Sequence, residues 1–221
     1  MVFYGLNEAI LVQKLGVLDI GGSMVIHTFG AYYGVAASYF FQPNRAAKSN
    51  NMKSSYQSEM IAVVGSIFLW MYWPSFNGAL ASGVQQQRTV CNTVLAIGGS
   101  CVGGACVARW LFGKLEMEIM LNATLAGGVA IGSSADLITE PWVAMAVGFV
   151  GGAISSFGFQ RIGPFLAEKI NLQDTCGVHS LHGLPGVFAS IVSAIVIAGI
   201  ADKGFPKSQL AFYEAMLTPS E

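Results

Sequence analysis

The chain has 221 residues, of which 53% are hydrophobic and 10% charged, with a formal net charge of -1. A soluble domain carries about 25% charged residues, so the implied solvent is lipid. The near-neutral balance excludes a basic field for nucleic acid. Glu8 and Lys14 interrupt the only early apolar stretch, so no signal peptide is expected.

Six runs contain no Asp, Glu, Lys or Arg: 20–44, 60–87, 89–108, 119–135, 141–160 and 175–201. A helix needs about 20 apolar residues, within about 17–25, to cross the hydrocarbon core. All six runs reach that range, and they are too long for barrel strands. The chain is therefore expected to be all-α, a single polytopic membrane bundle over 1–221. Its six transmembrane helices lie near 20–42, 60–83, 89–108, 118–135, 141–160 and 176–200.

The loops after the first, third and fifth spans hold seven basic residues: Arg45, Lys48, Lys53, Arg109, Lys114, Arg161 and Lys169. The other side holds four: Lys14, Arg88, Lys203 and Lys207. The basic excess places the first set in the cytoplasm and both ends of this chain outside. The loop from Gln42 to Glu59 is polar and expected to be mobile. Gly99 and Gly103 form a GxxxG pair, with Gly127, Gly128, Gly148, Gly151 and Gly152 beyond, which predicts closely packed helices. Cys91, Cys101, Cys106 and Cys176 have no metal-ligand spacing and read as small buried thiols. Asn122-Ala-Thr124 matches a glycosylation sequon but lies at membrane depth, where no glycan is expected.

The polar residues inside the spans repeat. Asp19 opens the first span and His27 follows eight residues later; Asp174 opens the sixth and His182 again follows eight residues later. Each Asp sits where an N-cap belongs, with the helix dipole favouring its charge. Eight residues of helix rise about 12 Å. That brings each His near the middle of a core about 30 Å thick. The two helices enter from opposite sides, the signature of an inverted repeat with a midplane site. A lone intramembrane His also serves as a helix–helix hydrogen-bonding residue, and the two Asp read more readily as structural caps than as substrate ligands. His179 lies one turn before His182 and could line a vestibule.

Desolvation disfavours a charged imidazole. Two neutral rings could share a hydrogen bond and still offer a guest one donor and one acceptor. Such a site suits a small neutral polar molecule better than a bare cation, which loses several kcal/mol on desolvation. Ammonia has those properties. A b-type haem between two histidines is a separate, enzymatic reading. No dinucleotide, quinone or phosphate-loop motif accompanies the pair, and no cofactor or metal is expected.

Four segments carry a resemblance: DIGGSMVIHTFGAYYG from Asp19 to Gly34, FLWMYWPSFN from Phe68 to Asn77, NATLAGGVAIG from Asn122 to Gly132, and DTCGVHSLHGLPG from Asp174 to Gly186. In this order they resemble the Rhesus (Rh) glycoprotein branch of the ammonium transporter superfamily. The resemblance implies an ammonium/ammonia channel of the plasma membrane, with carbon dioxide as a second guest and one pore in each subunit of a homotrimer. It implies that His27 and His182 are the paired pore histidines. Asp19 is then the acidic residue of the outer mouth, serving ammonium recruitment or pore architecture. Phe76 is then one of two stacked gating phenylalanines, although the residues alone also allow it to pack beside Trp70, Trp73 and Pro74. His179 departs from the Asn usual in the family, which implies a pH-sensitive inner mouth.

The resemblance covers the last helix of one inverted half and five helices of the other. The chain is thus expected to be a fragment or short form carrying both histidines and part of a pore wall. A non-conducting assembly subunit, working with full-length Rh subunits, is the alternative.

Overall fold

The computed structural model describes residues 2–43, 49 and 54–203. The orientation residues Arg45, Lys48, Lys53 and Lys207 and the middle of the Gln42–Glu59 loop lie outside the described residues, as do the closing residues after Lys203.

The described residues form helices and no strands. Helix α1 (Val2–Glu8) continues as a π-helical segment, Ala9–Lys14. The six expected spans do not include this segment, whose apolar stretch Glu8 and Lys14 interrupt. It is anchored instead by Asn7, whose Nδ2 donates to the Val25 carbonyl at 3.0 Å. Helix α2 (Phe29–Phe41) is entered through a π-helical turn, Ser23–Thr28. The expected start at residue 20 shifts to Ser23. The Gly21 N–H donates to the Gly132 carbonyl at 2.9 Å, and Gly22 stands at φ +71°, in the left-handed region that favours glycine.

Helix α3 (Tyr56–Asn77) begins earlier than expected because Ser55 and Ser58 form a reciprocal capping box. It ends at Asn77 rather than near 83. Helix α4 (Gly83–Phe112) starts before the charge-free run and crosses Arg88, whose guanidinium reaches the Asp136 carbonyl at 2.9 Å. Charges mark where a helix leaves the hydrocarbon, and a helix need not stop there.

Helix α5 (Met117–Gly132) is apolar but short, and Ser133 to Asp136 form a buried turn after it. Helix α6 (Pro141–Phe157) runs through a π-helical segment, Gly158–Ile162, into α7 (Gly163–Ile170), well past the expected end at 160. Helix α8 (Leu184–Lys203) is entered through a second π-helical turn, His179–Gly183. The segments Tyr56–Asn77, Gly83–Phe112, Pro141–Ile170 and His179–Gly199 are long and apolar enough to cross a membrane. The first and fourth expected spans are the broken helix leading into α2 and the shorter α5.

Described residues at the ends of the loops expected to share one side lie together. The Ser38 hydroxyl at the end of α2 donates to the Gln173 carbonyl at 2.6 Å. Glu59 in the first turn of α3, Glu118 in the first turn of α5 and Thr175 before the last broken helix line one cleft.

Helix α5 is the centre of the bundle. Every residue from Ala123 to Gly132 is buried, and α3, α4, α6, α8 and both π-helical turns pack on it. Helices α4 and α6 meet backbone to backbone. Gly99 and Gly103 of α4 face the carbonyls of Met145 and Phe149, while Gly148 and Gly152 of α6 face those of Ala96 and Ser100. Lipid tails are as apolar as the helices, so association relies on such close packing. The cysteines differ from the expectation of buried thiols: Cys91, Cys106 and Cys176 are exposed and Cys101 is half-buried. The glycine faces of α4 turn inward, which leaves its cysteines on the outer surface.

Gly103→Leu should therefore lower stability in detergent by about 1–3 kcal/mol, read as an earlier thermal unfolding midpoint. Gly98→Ala, where an added Cβ meets nothing within 4 Å, should leave the midpoint unchanged.

Candidate functional site: a parallel imidazole pair

The two π-helical turns hold the histidines. The turn before α2 packs against α8, and the turn before α8 packs against α2, so the two broken helices cross antiparallel with their turns in contact. π-Helical turns occur often at functional sites, where the extra residue in the turn re-aims a side chain.

Each turn is capped by its aspartate. Asp19 Oδ2 accepts from the backbone N–H of Met24 and of Val25, both at 2.8 Å. Asp19 Oδ1 accepts from the Ser133 hydroxyl at 2.9 Å, which ties the first turn to the end of α5. Asp174 accepts from the N–H of Val178 at 3.0 Å and of His179 at 2.8 Å. Ser23 Oγ donates to the Val129 carbonyl at 2.6 Å, a second tie to α5.

This scaffold brings His27 and His182 together. Their ring centroids are 5.0 Å apart and their planes differ by 4°. The expected hydrogen bond between the rings is not formed through the buried nitrogens: His27 Nε2 and His182 Nδ1 have no partner. Buried polar atoms are nearly always paired, so two unpaired ones on facing rings need a reason. The 5.0 Å separation is also too short for a haem iron held end-on between the imidazoles.

Trp73, which the sequence alone assigns to packing, is a direct neighbour of the pair. Its indole plane lies within 13° of His27 at 5.4 Å and within 10° of His182 at 6.4 Å. Phe76 sits at the rim: it is 43% exposed, and its ring is 5.7 Å from His27. His179 is apart from the pair, edge-on to Tyr32 at 5.8 Å, and its Nδ1 is also buried without a partner. The signal for Trp73 is its spacing, three residues before Phe76, but aromatic residues on a membrane helix are ordinarily packing.

Beside the pair a cleft of about 630 Å³ opens between α3, α5 and the start of the last broken helix. Leu69, Leu125 and Leu181 line its inner part; Ser58, Glu59, Glu118, Asn122 and Thr175 line the part nearer the loops. Leu69 is one turn from Trp73, and Leu181 adjoins His182. Nothing in the sequence patterning announces this cleft beyond its trace on α3, the spacing of Ser58, Ala62, Gly65 and Leu69.

Fold and site together define a polytopic membrane helix bundle whose polar groups converge where two broken helices cross. The Ammonium Transporter Family matches residues 1–217, and the chain belongs to that family. It is 42% identical over 205 residues to the ammonium transporter Rh type B of Homo sapiens, covering 91% of this chain and 44% of that protein. It is 41% identical over 214 residues to the Rh type C transporter of Homo sapiens, covering 95% and 45%. Among solved structures it resembles Nitrosomonas europaea Rh50, a Rhesus-family channel, with a TM-score of 0.83 and 37% identity over 97% of this chain and 56% of that one. Mep2 of Saccharomyces cerevisiae, at 23% identity and a TM-score of 0.69 over 81% of this chain and 40% of that one, shares the fold. The chain thus spans less than half the length of the Rh type B and type C relatives. The Rh resemblance carried by four motifs agrees with these matches.

Replacing Asp19 by Ala removes an acceptor for two backbone donors and one hydroxyl, whereas Asp174→Ala removes one for two backbone donors. Loss of a cap costs about 0.5–2 kcal/mol, and an unmade buried hydrogen bond adds about 1–3 kcal/mol. Thermal unfolding should therefore show a larger loss for Asp19→Ala than for Asp174→Ala.

Proposed function

We propose that the protein conducts ammonia across a membrane past His27 and His182. The observation that carries this reading is the close imidazole pair, His27 buried and His182 half-buried, each with a buried ring nitrogen that has no partner. The pair offers hydrogen-bonding groups to a small polar guest and supplies no counter-charge for a cation. The nearest caps, Asp19 and Asp174, are engaged with backbone N–H groups. Ammonium would release its proton to water at one mouth, pass as ammonia, and regain a proton from water at the other. Leaving the charge behind avoids a desolvation cost of several kcal/mol.

In this reading Asp19 serves pore architecture, since both its oxygens are occupied by Met24, Val25 and Ser133. Phe76 guards the mouth next to His27. The cleft lined by Glu59 and Glu118 is the wet end of the route. Carbon dioxide, another small neutral molecule, is a second guest. The exposed apolar face of α3, with Ile61, Val64, Phe68 and Met71, suits contact with lipid or with other subunits of a plasma-membrane homotrimer.

The test is ammonia-driven alkalinisation of proteoliposomes containing the chain alone. The expected result is a rate above that of empty liposomes, reduced at least ~10-fold in His27→Leu and His182→Leu. A rate equal to that of empty liposomes would overturn conduction by this chain. Conduction that emerges only when a longer Rh relative is co-reconstituted would favour the assembly-subunit reading.

His179 adds a titratable group near the cleft. Protonation would place a positive charge where ammonium forms. The wild-type rate should therefore fall more steeply with falling pH than that of His179→Asn. Superimposable pH profiles would remove His179 from the mechanism.

A further inference from the structure

The imidazole pair has two aromatic neighbours among the described residues, Trp73 and Phe76, and only Trp73 is parallel to both rings. Trp73 is 7% exposed and lies in α3, one helical turn before Asn77. Asn77 fastens this face of α3 to its surroundings. Its side-chain NH₂ donates to the Gly128 carbonyl at 3.1 Å and to the Thr93 hydroxyl at 3.0 Å. The same Gly128 receives the indole. A Cβ built there would lie 2.5 Å from Trp73 Nε1, 2.6 Å from Cδ1 and 3.0 Å from Cε2. These are ring atoms of a rigid group, not the end of a flexible chain. The indole cannot yield by bending; it must rotate, or α3 must move.

We propose that Gly128 is a positioning residue for the histidine pair, acting through Trp73. The bare α-carbon of Gly128 is the seat of the indole, and the indole face holds the two imidazoles parallel. Either response to a methyl group at 128 would turn or shift the plane against which His27 and His182 lie. The ring nitrogens would then point elsewhere. Helix geometry supports this chain of action, because Trp73 and Asn77 share one face of α3 and both engage Gly128. Gly128 therefore sets the register of that face as well as the space for the ring.

This inference rests on the conduction reading for its functional consequence, but its geometry can be tested without transport. The chain would be labelled with ¹³C-histidine in detergent micelles, and the imidazole C–H signals compared among variants. Stacking on an indole shifts protons above its face upfield. In Gly128→Ala two of the three histidine signals should move downfield, while His179 stays in place. Trp73→Leu, which removes the indole without touching α5, should move the same two signals in the same direction. In proteoliposomes Gly128→Ala should slow alkalinisation ~10-fold. The pair Gly128→Ala with Trp73→Phe should recover part of that loss, because the smaller ring leaves room for the methyl group.

Unmoved histidine signals in Gly128→Ala, or no recovery in the double variant, would overturn the proposal. Should Gly128→Ala fail to fold, unmoved signals in Trp73→Leu would overturn it alone. If the wild-type chain conducts nothing, the histidine signals still decide whether Gly128 and Trp73 orient the pair.

Discussion

Helix α5 presents a run of small residues, Ala123, Ala126, Gly127, Gly128, Ala130 and Gly132, and the rest of the molecule is arranged around it. Its run from Ala123 to Gly132 lets α3, α4, α6, α8 and the turn carrying His27 approach closely. In lipid no hydrophobic force drives helices together, so close dispersion contact and hydrogen bonds must do so. Each small position admits a different neighbour. Gly127 meets the backbone of Ala96, Gly128 meets the indole of Trp73, and Gly132 meets the Ser23 hydroxyl. The backbone carbonyls left accessible are used as well: Val129 accepts from Ser23, Gly128 from Asn77, and Gly132 from Gly21.

The histidine pair depends on that arrangement at two levels. The aspartates supply local order by capping π-helical turns whose backbone donors would otherwise be unsatisfied at membrane depth. The contact with α5 supplies the long-range placement. Asp19 takes part in both, since its second oxygen accepts from Ser133 just past the end of α5. Asp174 makes only the local bonds among the described residues. The two halves of the inverted pair are thus alike in their local chemistry and unlike in how they are held. The helix of His27 is tied to the core by side chains, while that of His182 packs through α8 on α5 and α6.

Much of the site is legible in the order of the residues. Equal Asp–His spacing marks the pair, because a helix converts sequence distance into depth. The Gly99 and Gly103 spacing marks the α4 interface for the same reason. Helix ends are less legible. Charge-free runs report the hydrocarbon boundary, so they truncate α4 and the helix that runs from α6 into α7, which continue beyond it, and overrun α3, which ends within its run. The breaks at Ser23 and His179 are also hidden. They follow from where Gly21 and the aspartates send their hydrogen bonds, and those partners are distant or depend on turn geometry.

By itself the sequence determined the membrane class, the pairing of His27 with His182 by depth, the capping character of Asp19 and Asp174, and the family. All of these follow from composition, spacing along one helix, or motifs that need no partner to be recognised. Only the tertiary structure decided that the two rings lie parallel at 5.0 Å, that Trp73 lies parallel to both, and that Gly128 makes room for it. These are contacts between helices far apart in the chain. Spacing along a helix specifies depth and face, but the distance between two faces is set by the smallest residue between them.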